Sequence, residues 1–348
     1  MNYWESRSLQ RMLKVEKDSA KAINQITNLY DKAIVNIEQE IVRTYKRFYE
    51  NGELNQEEAL KLLNNKESEE YYNNIYNQIN MITDDKIKIK LLAKYNAPAY
   101  SSRISRLEAL RNNLYVKIKQ LASNQAEITK STMKNIIDYS YNNTMYDFQQ
   151  QVGYYFDFEQ INEKLIESLM TEKWIGKGNY SSRIWNNSEI LAKQLERILL
   201  PGLTIGRSIS KMSAELKEIM NVAEHSVVRL VRTESNYHCN NAELLAYNEA
   251  GTKEYIYLAT LDTKTCEKCG SLDLKTFKIE KAIVGENFPP IHANDRCTTI
   301  PKTNFKYINE RIARDSEGKT IKVSSDMNYK EWKDKFAPNL PKIKSVGD

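Results

Sequence analysis

From Ile23 the apolar side chains recur as Ile23, Ile26, Tyr30, Ala33, Ile37, Ile41, Tyr45 and Phe48. Steps of three and four line them along one face of a helix, whereas a strand face repeats every second residue. The turn-forming stretch "NGELNQEE", Asn51 to Glu58, ends this helix. A more polar, Tyr-rich helical piece follows to about Tyr95. "NAPAYSS", Asn96 to Ser102, breaks the chain again, because Pro98 lacks an N–H and restricts Ala97. Ile104, Leu107, Leu110, Leu114, Ile118 and Leu121 then repeat the stripe. These patterns predict a mainly α protein whose residues 1–158 are a long-helical N-terminal scaffold, packed as a bundle in preference to an extended coiled coil. This half holds no His and no Cys, and its acids and bases are interleaved.

A helical block is expected over 159–251. It opens with "FEQINEKLIESLMTEKW", loops at Gly176 and Gly178, and restarts with Ser181 or Ser182 as cap. "PGLTIG" reads as a turn, a helix runs from about Ser208 to Met220, and the pattern resumes in "EHSVVRLVRTESNYHCNNAELLAYNEAG" up to Gly251. "KEYIYLATLD" alternates and is rich in Tyr, Ile and Thr, which predicts a strand. Residues 252–305 are thus expected to be a small α+β module. Residues 306–348 are expected to be a tail, loosely ordered at "KSVGD".

Fifty-one basic residues face 46 acidic ones, so the net charge of +5 permits contact with nucleic acid without requiring it. The 22 tyrosines against 8 phenylalanines suit a chain with many packing neighbours, and equally suit an AT-rich genome. The first residues, "MNYWESRSLQ", carry charges throughout and do not read as a secretory signal. No apolar run approaches the ~20 residues that cross a bilayer, so no membrane contact is expected. Four cysteines in a chain of this length are no disulfide framework, and synthesis in a reducing cytosol is expected.

Three of those cysteines and one His fall in the module as Cys266, Cys269, His292 and Cys297, a C-x2-C-x22-H-x4-C spacing. Two thiolates on one turn, with a His and a Cys on a second loop, make the Cys3His donor set of structural zinc. Gly270 fits a knuckle turn if that turn takes positive φ. A metal cross-link would also suit a block poor in large apolar residues. A Cys266–Cys269 redox pair and a set of unliganded thiols are the alternatives. A zinc with four protein ligands leaves no place for a reacting water, which speaks against metal-based catalysis. His238 and Cys239 lie about 100° apart on their helix and do not share one site; Cys239 reads as a small buried side chain, His238 as a local hydrogen-bonding group and His225 as an ordinary helical His.

The ordered series "WIGKGNYSSRIWNNSEILAKQLERIL", "GLTIGRSISKMSAEL", "RLVRTESNYHCNNAELLAYNEAG", "YLATLDTKTCEKCGSLDLKTF" and "FPPIHANDRCTTIP" resembles the C-terminal half of Mu F-like minor head proteins of tailed phages. The form is that of phages of Gram-positive hosts, and the resemblance covers about Trp174 to Pro301. The matching positions include Arg232, Thr233, Glu234, Asp262, Thr265, Asp273, Pro290, His292 and Arg296 along with the cysteines. Two positions depart from the family pattern: Leu274, where Gly is common, and Ala293, where Pro is common. The resemblance implies a minor head protein of the virion, placed near the portal, with portal protein, scaffold or major capsid protein as partners and the packaged double-stranded DNA nearby. Arg232, Glu234, Asp262, Asp273 and Arg296 read as a docking set, in which Arg–carboxylate pairs join the preceding helix to the module.

The function expected on these grounds is non-enzymatic head morphogenesis, with no catalytic residue. A second reading is a DNA-binding protein of the head interior, from the Arg and Lys residues of "RISRLEALRNNLYVKIKQ", whose bland counterpart is a solvated helix face. A third is a zinc-containing nuclease or transferase. "GKGNYSS" lacks the spacing of a phosphate loop, and no second His stands near His292 in sequence.

Overall fold

The computed structural model describes residues 3–50, 53–54, 56–95, 104–152, 161–174, 178–303, 310–324 and 326–336. The expected break at 96–102, the glycine loop at 175–177 and the "KSVGD" end lie wholly or mostly outside them. The described residues form a mainly α protein with a small strand module toward the C-terminus.

Two compact units interleave along the chain. One comprises 22–129 and 180–228, the other 1–21, 130–179 and 229–348. Three of the four divisions fall inside long helices, α1 (Tyr3–Phe48), α5 (Arg106–Val152) and α8 (Ile209–Glu249). The stripe of α1 is its buried face, with Ile26, Tyr30, Ile37, Ile41 and Phe48 all buried.

In the first unit, α2 (Gln56–Leu60), α3 (Asn65–Asn80) and α4 (Asp85–Tyr95) follow a two-residue hairpin, β1 (Tyr49–Glu50) and β2 (Glu53–Leu54). Asn64 caps α3: its side chain accepts from Glu67 N at 2.9 Å, and the Glu67 carboxylate accepts from Asn64 N at 3.1 Å. Tyr71, Ile75, Ile79, Leu91, Tyr95, Ile104 and Val116 close an apolar core. The helix α7 (Tyr180–Thr204) begins before the expected serine caps and runs on through Pro201, so the turn lies at Ile205 and Gly206, the latter at φ +77°. Gly202 lets this last turn approach a neighbour closely, for a Cβ there would meet Met212 Sδ at 2.7 Å.

The expected break between Met220 and Glu224 is absent. No Gly or Pro interrupts the segment, and α8 is one helix of 41 residues. It ends at Gly251 (φ +77°), with Thr252 N bonded to Tyr247 O at 2.9 Å and Gly251 N to Asn248 O at 3.1 Å.

In the second unit, α6 (Glu163–Thr171) precedes a three-stranded antiparallel sheet. Its order is β4 (Thr276–Lys278), β3 (Glu254–Leu258), β5 (Thr298–Pro301), with Tyr255 opposite both Phe277 and Pro301. Tyr255 and Tyr257 share a face and are fully buried. Tyr255 packs in a cluster with Trp4, Phe148, Tyr247, Phe288 and Ile300, and Tyr257 in one with Cys266, Cys269, Ile291 and Cys297. Residues 310–336, read from sequence as part of a tail, form the hairpin β6 (Glu310–Arg314)–β7 (Thr320–Ser324) and the helix α10 (Tyr329–Phe336), with Trp332 fully buried.

Candidate metal centre

Cys266 ends the loop after β3 and caps α9 (Glu267–Leu272), its sulfur accepting from Cys269 N at 3.4 Å. Cys269 sits one helical turn on. Gly270 lies inside this helix and is not among the positive-φ residues, which corrects its expected role. It is needed for space: a Cβ there would lie 2.0 Å from the Tyr329 ring, whose hydroxyl donates to Thr265 O at 2.8 Å. The positive φ falls instead at Leu274 (60°), the position where the resembling family commonly has Gly.

The second half of the site is the loop from Ile291 to Cys297. Its organiser is Asp295, a buried carboxylate that accepts from Ile291 N at 2.6 Å and Cys297 N at 2.9 Å. Those bonds hold His292 and Cys297 toward α9. Sequence reading passed over Asp295, although an Asp two residues before a turning Cys is a usual backbone cap.

The sulfurs of Cys266 and Cys269 and a ring nitrogen of His292 lie within 4.8 Å of one another, as do donor atoms of Cys269, Asp295 and Cys297. Cys269 belongs to both groups. The four predicted ligands, with Asp295 as a fifth donor, therefore gather around Cys269 as two overlapping triads, and the four do not form one group at that separation. Around a tetrahedral zinc with bonds of about 2.0–2.3 Å, donors stand roughly 3.5–3.8 Å apart. Cys269 Sγ and His292 Nε2, at 3.4 Å, stand just inside that spacing. His292 Nδ1 faces Ala293 O at 2.9 Å, so an Nδ1–H donating there leaves the Nε2 lone pair for a metal. All four cysteines of the chain are free thiols.

The electrostatics follow this geometry. A hydrogen bond from the Cys297 thiol, aided by His292, holds Cys269 down to about 6 against the pull of burial. Its bond to Cys269 raises His292 to about 9. The hydrogen bond to Cys269 and burial push Cys297 well up, and burial pushes Cys266 up. Such a cluster offers one ready thiolate to a soft cation. The donor types and the Cys269–His292 separation fit zinc, which would take the place of the proton between Cys269 Sγ and His292 Nε2.

The docking set divides. Arg296 pairs with Asp262 through both Nη atoms, and Asp262 also accepts from Lys264 N at 2.9 Å and Thr265 Oγ1 at 3.2 Å. Asp273 accepts from Ala259 N at 2.9 Å, fixing the end of β3. Arg232 is exposed on α8 and makes no ion pair among the described residues, so it does not dock the helix. Glu234 is buried and accepts from Trp174 Nε1 at 3.0 Å. Uncharged groups hold α8 against the cysteine loop instead: Asn236 Nδ2 donates to Cys297 O at 2.9 Å, and Thr233 Oγ1 accepts from Asn294 N at 3.0 Å.

Residues 193–300 match the family described as Phage Mu protein F like protein, the family that the sequence motifs resemble. The chain is also 25% identical, over 296 residues, to the NAD(+)--arginine ADP-ribosyltransferase EFV of Enterococcus faecalis; the match takes in 79% of this chain and 58% of that relative's length. No solved structure matches.

Proposed function

We propose that the chain is a non-enzymatic minor head protein of a phage of Gram-positive hosts. In this reading it works in head morphogenesis near the portal and the packaged DNA, and carries a structural zinc on Cys266, Cys269, His292 and Cys297. The supporting observation is that the family match, from 193 to 300, takes in the whole of α8 and the cysteine-bearing sheet up to β5. Portal, scaffold and major capsid proteins are the proposed partners. Among the described residues no helix is long and apolar enough to cross a membrane.

The described cations of the basic helix that motivated DNA contact each stand beside a carboxylate, as on a solvated helix face. Arg106 pairs with Glu58 and Glu67, Arg111 with Glu196, Lys117 with Glu40 and Lys119 with Glu189. Arg103 of the same stretch lies outside the described residues. The test is purification of heads from infected cells: the chain should travel with the portal protein, and its absence from heads and virions overturns the reading.

The relative's printed name supports a second reading, transfer of ADP-ribose to arginine. This chain spans 58% of that relative, so the named activity has room to lie in the part not shared. Incubation with labelled NAD and an arginine-rich acceptor protein decides: label on the acceptor ends the non-enzymatic reading.

A further inference from the structure

In the unit that contains the cysteine cluster, and sharing no residue with it, a cleft of about 330 Å³ opens between the segment after α6, one face of α8 and the loop before β5. That volume lies at the low end of the roughly 300–1,000 Å³ of small-ligand pockets. One wall is aromatic. The rings of Trp174 and Tyr237 stack at 4.3 Å with 11° between their planes. Trp174 Nε1 donates to the buried Glu234, and Tyr237 Oη donates to Glu172 at 2.9 Å, so the pair is anchored from both rings. Asn241 Nδ2 reaches the same Glu172 oxygen at 3.4 Å.

The opposite wall is apolar. Phe288 is buried and Ile283 stands half exposed at the lip. Asn287 stiffens this wall, accepting from Ile283 N at 2.7 Å and donating to Lys281 O at 2.9 Å. The site is therefore largely formed before anything enters it.

Charge decides what can enter. The described lining residues include one carboxylate, Glu172, and no Lys, Arg or His. A phosphate-bearing ligand would meet a like charge and no counter-charge. A cation would meet a carboxylate beside the part-exposed Trp174 ring, which Tyr237 backs from its buried side, and a planar guanidinium uses both, by stacking on the ring and by forking its N–H groups onto an oxygen. A compact ammonium ion matches the carboxylate but cannot stack. The aliphatic stem of an arginine also suits the Ile283–Phe288 wall.

We propose that this cleft takes an arginine side chain presented by a partner polypeptide, its guanidinium against Glu172 and the Trp174–Tyr237 pair. Neither the head-assembly reading nor a bound metal is needed for this. The chain has four tryptophans, so ¹⁵N-labelled full-length protein gives four indole N–H signals, and Trp174→Phe identifies the one from Trp174. Titration with N-acetyl-arginine N-methylamide should move the Trp174 signal saturably, with a Kd on the order of millimolar for one isolated side chain. The lysine analogue should bind more weakly, and AMP should leave the signal in place. Glu172→Gln should weaken the arginine probe about tenfold, the worth of a charge-assisted contact. Its other three indole signals, unshifted from wild type, report that the variant is folded. A Trp174 signal unmoved by the arginine probe, moved more by AMP than by arginine, or equally responsive in folded Glu172→Gln overturns the proposal.

Discussion

The two compact units handle charge in opposite ways. In the unit of 22–129 and 180–228, every ion pair among the described residues keeps at least one partner in reach of solvent: Arg111 and Glu196 are 54% and 39% exposed, and even the buried Lys119 pairs with a Glu189 that is 42% exposed. Its apolar core cluster is the ordinary product of helical stripes. In the other unit, Arg11 is 2% exposed and lies between Asp147 and Glu243, both at 0%. Tyr247 Oη adds a bond to Glu243 at 3.2 Å, and Tyr3 Oη one to Asp147 at 3.3 Å. Desolvating three charges is costly unless the geometry returns nearly all of it. An apolar core accepts any side chain of suitable volume, whereas a buried charge accepts only its partner. Residue identity therefore matters more in the second unit, and that unit holds the cysteine centre and the polar run of α8 within the family match.

The largest expected effect is at the cysteine centre. Elemental analysis should find about one zinc per chain, lost in Cys269→Ser, and the stability lost with a structural zinc is on the order of 10 kcal/mol. Hydrogen exchange should then rise across 254–301 and stay unchanged across 65–95. Metal-free protein with the same protection in both stretches would mean that the sheet module stands on hydrogen bonds alone.

Next in size is Arg11→Met. It strands Asp147 and Glu243 in the interior with only Arg7 and tyrosine hydroxyls for company, and should cost about 3–5 kcal/mol in urea unfolding. Arg11→Met combined with Asp147→Asn and Glu243→Gln should recover most of that loss. A single variant within about 1 kcal/mol of wild type would erase the contrast between the units.

How much of this was legible in the sequence follows the same division. The stripes of α1 and α5 predicted buried positions such as Ile26, Ile37, Leu110 and Ile118 correctly, because apolar periodicity is a local signal. The cysteines and His292 were found by residue type and spacing, and they do converge on Cys269. Arg11 and Asp147, 136 residues apart, were not, since an Arg on a helix looks the same whether it faces solvent or a buried acid. Arg232 was misread for that reason in reverse. Asp295, Asn236 and Thr233 act through backbone groups, and such bonds leave no periodic trace. The hairpin and helix of 310–336 went unseen because their apolar residues are few and widely spaced.

His238 offers a pH test confined to the polar-interior unit. Its ring is fully buried, its two nitrogens find no hydrogen-bond partner among the described residues, and Glu234 Oε2 stands 3.6 Å away. Burial lowers its pKa from 6.5 to about 3, so the folded chain keeps it neutral. Once unfolded it binds a proton below about 6.5, and stability is then lost as pH falls from there toward 3. Between pH 7 and 5 the loss from this residue should be about 2 kcal/mol. Other groups titrate in the same range, His292 with the opposite sign, so the informative quantity is the difference between wild type and His238→Asn. Equal slopes in the two would mean that His238 takes up its proton while folded.

The smallest expected effect belongs to the unit with its charges at the rim. Arg111→Ala removes one member of a pair that water already reaches from both sides, and exposed pairs contribute only about 0.2–1 kcal/mol. The expected loss is under about 0.5 kcal/mol, shrinking further at 1 M salt, where charges farther than roughly 3 Å apart are screened. Set beside Arg11→Met in the same urea series, the two arginines should differ by several-fold although each contacts a carboxylate. A loss above about 1.5 kcal/mol for Arg111→Ala would show that its pair is held rigidly enough to behave as a buried one, and the contrast between the units would then lie in the kind of side chain packed around each charge.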